Sequence, residues 1–317
     1  MKLSRCRLLR HLLFCLLVAT CCPIAHAAQP VVPGTGIKVE QVGDDFEAED
    51  WEWYHNWPKS SDENNKWQNA PGGESSNGRW YEGIKRGHPD HVKRVPTPAG
   101  GLPGSKGSLL LRSLQTGIPG YPSYRQQQDD FVCNVMERLG GAIPVNQSPS
   151  FVTRVFLPPV NKWENRSGCH FAIRAAADTV LYKTSYGGSS AERELYYPGM
   201  FIEFEAKEDN DLGYDTAYLR VRADQSGYDF KGKEITVTGW WTFGMSFTAD
   251  GAVHYYAKPG IEDLTKADHL TSQFPYGYRC TRLRTFFFDV CNGDDGRTWS
   301  TEWIVDDSYL YFIKTQK

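Results

Sequence analysis

Glu203, Glu205 and Glu208 fall together in the run Glu203-Phe204-Glu205-Ala206-Lys207-Glu208. Two carboxyl groups about 5 Å apart can cleave a glycosidic bond with retention, one as nucleophile and the other as acid/base. Glu203 and Glu208 would form that pair if a β-bulge brought them onto one face of a strand. A second chemistry is written in cations, an imidazole and a phenol. β-Elimination from a uronate needs its carboxylate neutralised and a His or Tyr to move the protons. Arg154, His170, Arg174, Arg220 and Tyr256 carry side chains of those types. The plainer assignment is cross-strand pairing of charges on a solvated sheet, which contributes little to stability.

Trp51, Trp53, Tyr54, His55 and Trp57 are packed into a short stretch, followed by Trp67 and Trp80-Tyr81. Sugars present apolar C–H faces and polar edges, so rings flanked by donors suit them. Trp51, Trp53, Tyr54 and Trp57 are therefore candidate stacking residues, with Arg154 and Arg220 as candidate polar contacts. The alternative is a hydrophobic plug closing one end of a sandwich. Asp209, Asp211 and Asp215 around Gly213, and Asn292, Asp294 and Asp295 before Gly296, have oxygen-rich calcium-loop chemistry. Neither has the ordered spacing of a calcium loop. No metal site is assigned, and calcium stands as a possible ligand only. HExxH, GxSxG and phosphate-loop motifs are absent, so no nucleotide cofactor is expected.

These residues need a scaffold. The chain has 317 residues, 40% hydrophobic and 14% aromatic, which is a globular composition. Lys2, Arg5, Arg7 and Arg10, the apolar run Leu12 to Ala19 and Ala25-His26-Ala27 have the order of an export leader cleaved after Ala27. A secreted or periplasmic protein is expected. Val18-Ala19-Thr20-Cys21 approaches a lipid-attachment motif, but Thr before Cys21 fits it poorly, and plain export is preferred. Without the leader's four basic residues, 31 basic residues face 38 acidic ones and the net charge falls from −3 to −7. That balance argues against nucleic acid as the partner. No long apolar run follows the leader, so no transmembrane segment is expected.

Cys133, Cys169, Cys280 and Cys291 remain after the leader, an even number suited to disulfides in an oxidising compartment. Four cysteines allow three pairings. Proximity in sequence favours Cys280 with Cys291 across a hairpin and Cys133 with Cys169.

Alternation dominates from Ser108 onward. Trp241, Phe243, Met245 and Phe247 point one way and Thr242, Gly244, Ser246 and Thr248 the other, a strand with one buried face. Asp250-Gly251 then signals a hairpin into Val253, Tyr255 and Ala257. Ala217-Leu219-Val221-Ala223, Met200-Ile202-Phe204-Ala206 and Phe171-Ile173-Ala175 repeat the pattern. Short helices are expected only within Asp129 to Leu139 and Gly260 to Leu270. Strands without intervening helices predict an all-β, antiparallel β-sandwich with long loops. After a lead-in over residues 28–42, one domain is expected over residues 43–317, with 43–106 as loop-rich decoration.

The chain resembles the concanavalin A-like lectin/glucanase superfamily, whose jelly roll also serves laminin-G-like modules. Asp44-Asp45-Phe46-Glu47 resembles the opening strand and Gly107-Ser108-Leu109-Leu110-Leu111-Arg112-Ser113 an early sheet strand. Trp240-Trp241-Thr242-Phe243, Asp250-Gly251-Ala252-Val253 and Tyr255-Tyr256 resemble the central hairpin, and Trp303-Ile304-Val305-Asp306-Asp307 the closing strand. The resemblance implies a jelly roll and a carbohydrate ligand. Retaining glycosidases of this superfamily carry a pattern similar to E-x-D-x-x-E. Glu203 and Glu208 would match its two acids, but Glu205 stands where the helper Asp belongs. The reading is an exported, lectin-like protein that binds a polysaccharide or oligosaccharide. The alternatives are a lyase or glycoside hydrolase on the same fold, or a protein-binding adhesion module.

Overall fold

The computed structural model describes residues 28–56, 72–83, 87–185 and 188–314. Residues 1–27, read above as a leader and including Cys21, and Trp57 and Trp67 lie outside the described residues. In chain order the strands are β1 (Ile37–Asp44), β2 (Trp53–His55), β3 (Gly73–Ser75), β4 (Trp80–Tyr81), β5 (His91–Pro96), β6 (Gly107–Arg112) and β7 (Gln127–Cys133). A one-turn helix, α1 (Val135–Leu139), precedes β8 (Ile143–Pro144), β9 (Ser150–Leu157), β10 (Gly168–Ser185), β11 (Gly188–Tyr196) and β12 (Gly199–Glu205). The remainder are β13 (Thr216–Arg222), β14 (Phe230–Glu234), β15 (Gly239–Phe247), β16 (Val253–Pro259), β17 (His269–Gln273), β18 (Arg279–Asn292) and β19 (Trp303–Phe312).

Among the described residues these strands make two antiparallel sheets. The first runs β17-β16-β15-β9-β19-β6-β5, with β1 also on β19. The second runs β14-β13-β12-β10-β18-β7-β4-β3-β2, with β11 on β10 and β8 on β18. The expected all-β sandwich of jelly-roll type is present. Period-two alternation builds its core, because inward residues of one sheet meet inward residues of the other. Phe151 of β9 stacks on Phe286 of β18 at 4.7 Å, and Phe171 of β10 on Trp303 of β19 at 5.0 Å. Both contacts cross between the sheets, and all four rings are fully buried. Each such ring contributes roughly 1.5–3 kcal/mol through burial alone.

The expected hairpin forms between β15 and β16. Gly251 takes φ +85 in its turn, where an added Cβ would lie 2.9 Å from the Cys280 carbonyl oxygen. The helix expectations need correction. Asp129 to Cys133 is strand, and α1 covers only Val135–Leu139. Between Gly260 and Leu270 the chain has only the 3-10 turn Lys266–Asp268 before β17 begins.

β15 of the first sheet differs from expectation in being buried on both faces. Thr242, Ser246 and Thr248, expected to be solvated, are buried. Residues 28–36 cross this face: Gly34 N donates to Ser150 Oγ at 3.3 Å and Ser246 Oγ donates to the Val31 carbonyl. A Cβ on Gly244 would meet Pro33 at 2.6 Å and Leu264 at 2.7 Å, so glycine is what lets both segments seat there. The first sheet thus has no open outer face over β15; on the outer face of the second sheet Ala172, Phe201, Glu203 and Asp289 are buried as well, and Tyr218 and Arg220 of β13 are half-exposed.

The preferred cysteine pairing is overturned. Cys280 and Cys291 lie on the same strand, β18, which holds them about 35 Å apart at strand rise. Cys133 of β7 and Cys169 of β10 have β18 between them. Instead Cys169 Sγ lies 3.7 Å from Cys291 Sγ on the neighbouring strand. Cys133 and Cys280 are buried in the main core.

Candidate functional site

The residues singled out for chemistry do not share one surface. Arg154 (β9) and Tyr256 (β16) belong to the first sheet, whereas His170 and Arg174 (β10), Glu203 (β12) and Arg220 (β13) belong to the second. The interior of the sandwich separates the two groups.

On the first sheet, Arg154 Nε donates to the Ile261 carbonyl at 3.1 Å and Nη2 to Asp263 Oδ1 at 2.9 Å. The loop after β16 therefore covers the guanidinium. Tyr256 is 1% exposed, with Val152 and Leu264 in its cluster and His269 edge-on at 5.0 Å. Burial pushes its phenol up to about 12. Neither group is presented to a polymer.

His170 is also internal. Its register slips by one residue where β10 meets β12, between Cys169 and Phe171. This bulge turns the imidazole toward Trp163 and Phe204, at 5.7 and 5.3 Å. Nε2 donates to the Arg166 carbonyl at 2.7 Å, and Nδ1 takes the Thr301 hydroxyl at 3.0 Å. Burial, assisted by the Arg166 charge, lowers the imidazole to about 3. With both nitrogens engaged, His170 is a neutral structural group rather than a base.

The outer face of the second sheet is where polar side chains meet. Cross-strand register aligns Arg220 with Phe201, Phe201 with Ala172, and Ala172 with Asp289. A parallel row sets Tyr218 opposite Glu203 and Glu203 opposite Cys169. Arg220 reaches across to one carboxylate oxygen, Glu203 Oε1, with Nε at 2.7 Å and Nη2 at 2.6 Å. Its Nη1 donates to Asp229, and its guanidinium lies over the Phe201 ring at 4.3 Å. Arg174 sits on the other side of Phe201, 5.4 Å from the centroid, with Nη1 donating to Asp289 at 3.1 Å. Burial opposes its charge, but the Asp289 carboxylate outweighs burial and holds it above the ordinary arginine value. Arg220 follows the same logic with Glu203.

Glu205 lies one turn of the pleat from Glu203 and accepts from Thr216 Oγ1 at 3.1 Å. Tyr218 stands beside both acids. Partial burial, then the charges of Glu203 and Glu205, raise its phenol above the ordinary value. Glu208 lies beyond the end of β12, and its neighbour Lys207 contacts it at 3.9 Å. The carboxyls sharing the face are therefore Glu203 and Glu205, and no bulge within β12 brings Glu208 beside them.

The aromatic stretch is mostly packing. Trp51 donates from Nε1 to Asp44 Oδ2 at 3.0 Å and is 4% exposed. Trp53 is 7% exposed and meets Phe131 at 5.1 Å. Tyr54 alternates outward and is exposed. The rings of Trp51 and Trp53 thus form a plug at the sandwich edge, leaving little surface to stack on. The acidic loops are closed by their own bonds: Asp215 accepts from Lys207 N, and Asp294 from Gly117 N and Ser123 Oγ. Among the described residues no group of three His, Cys, Asp or Glu side chains is arranged to hold a metal.

Sequence reasoning missed Phe201, Tyr218, Tyr197 and Asp229 as neighbours of the two arginines. Phe201 and Tyr218 were within reach, since each lies two residues from a chosen one on the same face. Asp229 precedes β14 in a loop, where alternation carries no information.

No protein-family model matches the chain, and no curated protein sequence matches it. Solved structures with a similar shape include the catalytic domain of a GH131 β-glucanase from Podospora anserina, with 9% identity and a TM-score of 0.41 over 82% of this chain and 92% of that one. An alginate lyase from Pseudomonas aeruginosa matches with 7% identity and a TM-score of 0.38 over 70% and 86%. The exoplasmic/lumenal domain of VIP36, with Ca2+ and Man3GlcNAc bound, matches with 11% identity and a TM-score of 0.33 over 72% and 92%. At these values the functional reading rests on the residues of this chain.

Proposed function

We propose that the protein binds a polysaccharide along the outer face of its second sheet, on the strip formed by β12 and β13. The observation that carries this reading is the Arg220–Glu203 pair beside Tyr218 and Glu205. Paired donors and acceptors at a partly exposed position suit the vicinal hydroxyls of a sugar ring. Residues 28–36 cover the first sheet at Gly244 and Ser246 of β15, whereas β13 keeps Tyr218 and Arg220 half-exposed, which favours the β12–β13 strip as the place for a polymer. Binding is favoured over lyase chemistry by one geometric fact. His170 and Tyr256, the residues assigned to move protons, are buried on different sheets, away from the arginine strip.

Export fits the same reading. If the leader is cleaved after Ala27, Ala28 carries the new α-ammonium. Ala28 N lies 3.0 Å from Asp250 Oδ2, in the turn between β15 and β16. Processing would convert a neutral amide contact into an ion pair that fastens residues 28–36 across the first sheet.

The test is affinity electrophoresis of the protein through gels containing neutral or uronate-rich polysaccharides, with calcium and with chelator. Retardation by a polymer, weakened about tenfold by R220K with an unchanged melting temperature, is the expected result. Release of unsaturated uronate or new reducing ends would replace binding with catalysis. Absence of retardation by every polymer would overturn the reading.

A further inference from the structure

We infer that Cys169 and Cys291 become joined by a disulfide when the protein folds under oxidising conditions, while Cys133 and Cys280 remain thiols. The geometry begins with the bulge in β10. Phe171 faces the main core, and the slip between Cys169 and Phe171 puts Cys169 on the opposite face with Ala172, Phe201 and Cys291. Cys291 comes from β18, the hydrogen-bonded neighbour of β10. The two Sγ atoms are 3.7 Å apart, and rotation about the side-chain bonds of cysteines on adjacent strands can close such a gap to about 2.05 Å. Both residues are nearly inaccessible, at 3% and 2% exposure. Among the described residues no cysteine stands beside Cys133 or Cys280, which lie on separate strands within the apolar core.

Closure needs an oxidant, and a small-molecule disulfide such as oxidised glutathione supplies it. One cysteine thiolate attacks a glutathione sulfur, forming a mixed disulfide and expelling one glutathione thiolate. The second cysteine thiolate then attacks the protein sulfur of that mixed disulfide and expels the other. Two cysteine thiols are oxidised, one glutathione disulfide is reduced to two thiols, and two protons leave the cysteines. In the folded molecule the contact with Cys169, and burial, push the Cys291 thiol well above its ordinary value. Exchange therefore belongs to the folding stage, before these strands close over the sulfurs. The bond would tie the centre of the second sheet across a separation of 122 residues, beside the row that holds Glu203.

The experiment uses the full chain with Cys6, Cys15, Cys21 and Cys22 changed to serine. It is refolded in mixed reduced and oxidised glutathione, denatured without reductant, alkylated with iodoacetamide and digested. The expected result is one crosslinked peptide pair containing Cys169 and Cys291, with Cys133 and Cys280 alkylated. The crosslinked form should melt about 10 °C above its reduced form. The C133S/C280S variant should give the same crosslink. Alkylation of both Cys169 and Cys291 in refolded protein, or a link to Cys133 or Cys280, would overturn the proposal.

Discussion

Arg220 grips Glu203 across two adjacent strands, with Nε and Nη2 converging on a single carboxylate oxygen at 2.7 and 2.6 Å. The Glu203 side chain is only 10% exposed and Arg220's is 24% exposed, so the pair is partly withdrawn from water. Removing one partner of such a pair costs more than removing both, because a lone charge is left poorly solvated. R220L should destabilise the fold by about 1–3 kcal/mol, and adding E203Q should restore part of that loss. Urea denaturation of the two single variants and the double variant measures it. Strict additivity would mean that the two side chains do not support each other.

Trp53 separates packing from recognition. Its ring meets Phe131 in the core, so W53A should cost about 3–5 kcal/mol while leaving affinity for any retained polymer unchanged. Thermal unfolding and affinity electrophoresis on the same sample give both readouts. A stable W53A protein with lost affinity would return Trp53 to the binding surface.

Acid stability should report two buried imidazoles. Burial lowers His170 to about 3 and His254 to about 4. The unfolded chain protonates both near 6.5, so between those values it binds more protons than the native state. Their contribution is complete above about pH 6.5 and is lost as pH falls toward 4 and below, on the order of a few kcal/mol. Urea titrations at stepped pH should show this loss, and H170N with H254N should flatten it. An unchanged slope in the double variant would assign acid sensitivity elsewhere.

Asp250 offers a test of leader processing. Bonds from the Thr248 hydroxyl and the Ala28 and Ala252 amides overcome partial burial and hold its carboxyl below the ordinary value. A group with a depressed acid titration stabilises above that titration and ceases to do so as pH falls through it. D250N should therefore cost about 0.5 kcal/mol at neutral pH, with the difference closing in acid. N-terminal sequencing of exported protein should read Ala28 first. An N-acetylated form should lose less on D250N, and equal losses would leave Asp250 as a turn residue alone.

The strands were legible because alternation is a local property. Trp241, Phe243, Met245 and Phe247 point into the core as their spacing requires. The same pattern misled at Thr242 and Ser246, which are polar yet buried: Thr242 donates to the Gly260 carbonyl, and the segment covering Ser246 comes from more than 200 residues earlier. Strand assignment was also right around Arg174, but strand neighbourhood is set by sheet order, which alternation does not encode. That order separates Tyr256 from Arg220 and brings Cys291 to Cys169. His170 was hidden for another reason: a one-residue bulge reverses which face it joins. Glu203 and Arg220 were found individually, but their pairing follows from β12 and β13 being adjacent.

The central claim is most directly tested by amide hydrogen exchange with and without a retained polysaccharide. Added protection should concentrate in 199–222, across β12 and β13, with residues 28–36 and β15 unchanged. Protection centred on β15 and β16, or at the Trp51–Trp53 edge, would contradict the assignment of the second sheet's outer face as the binding surface.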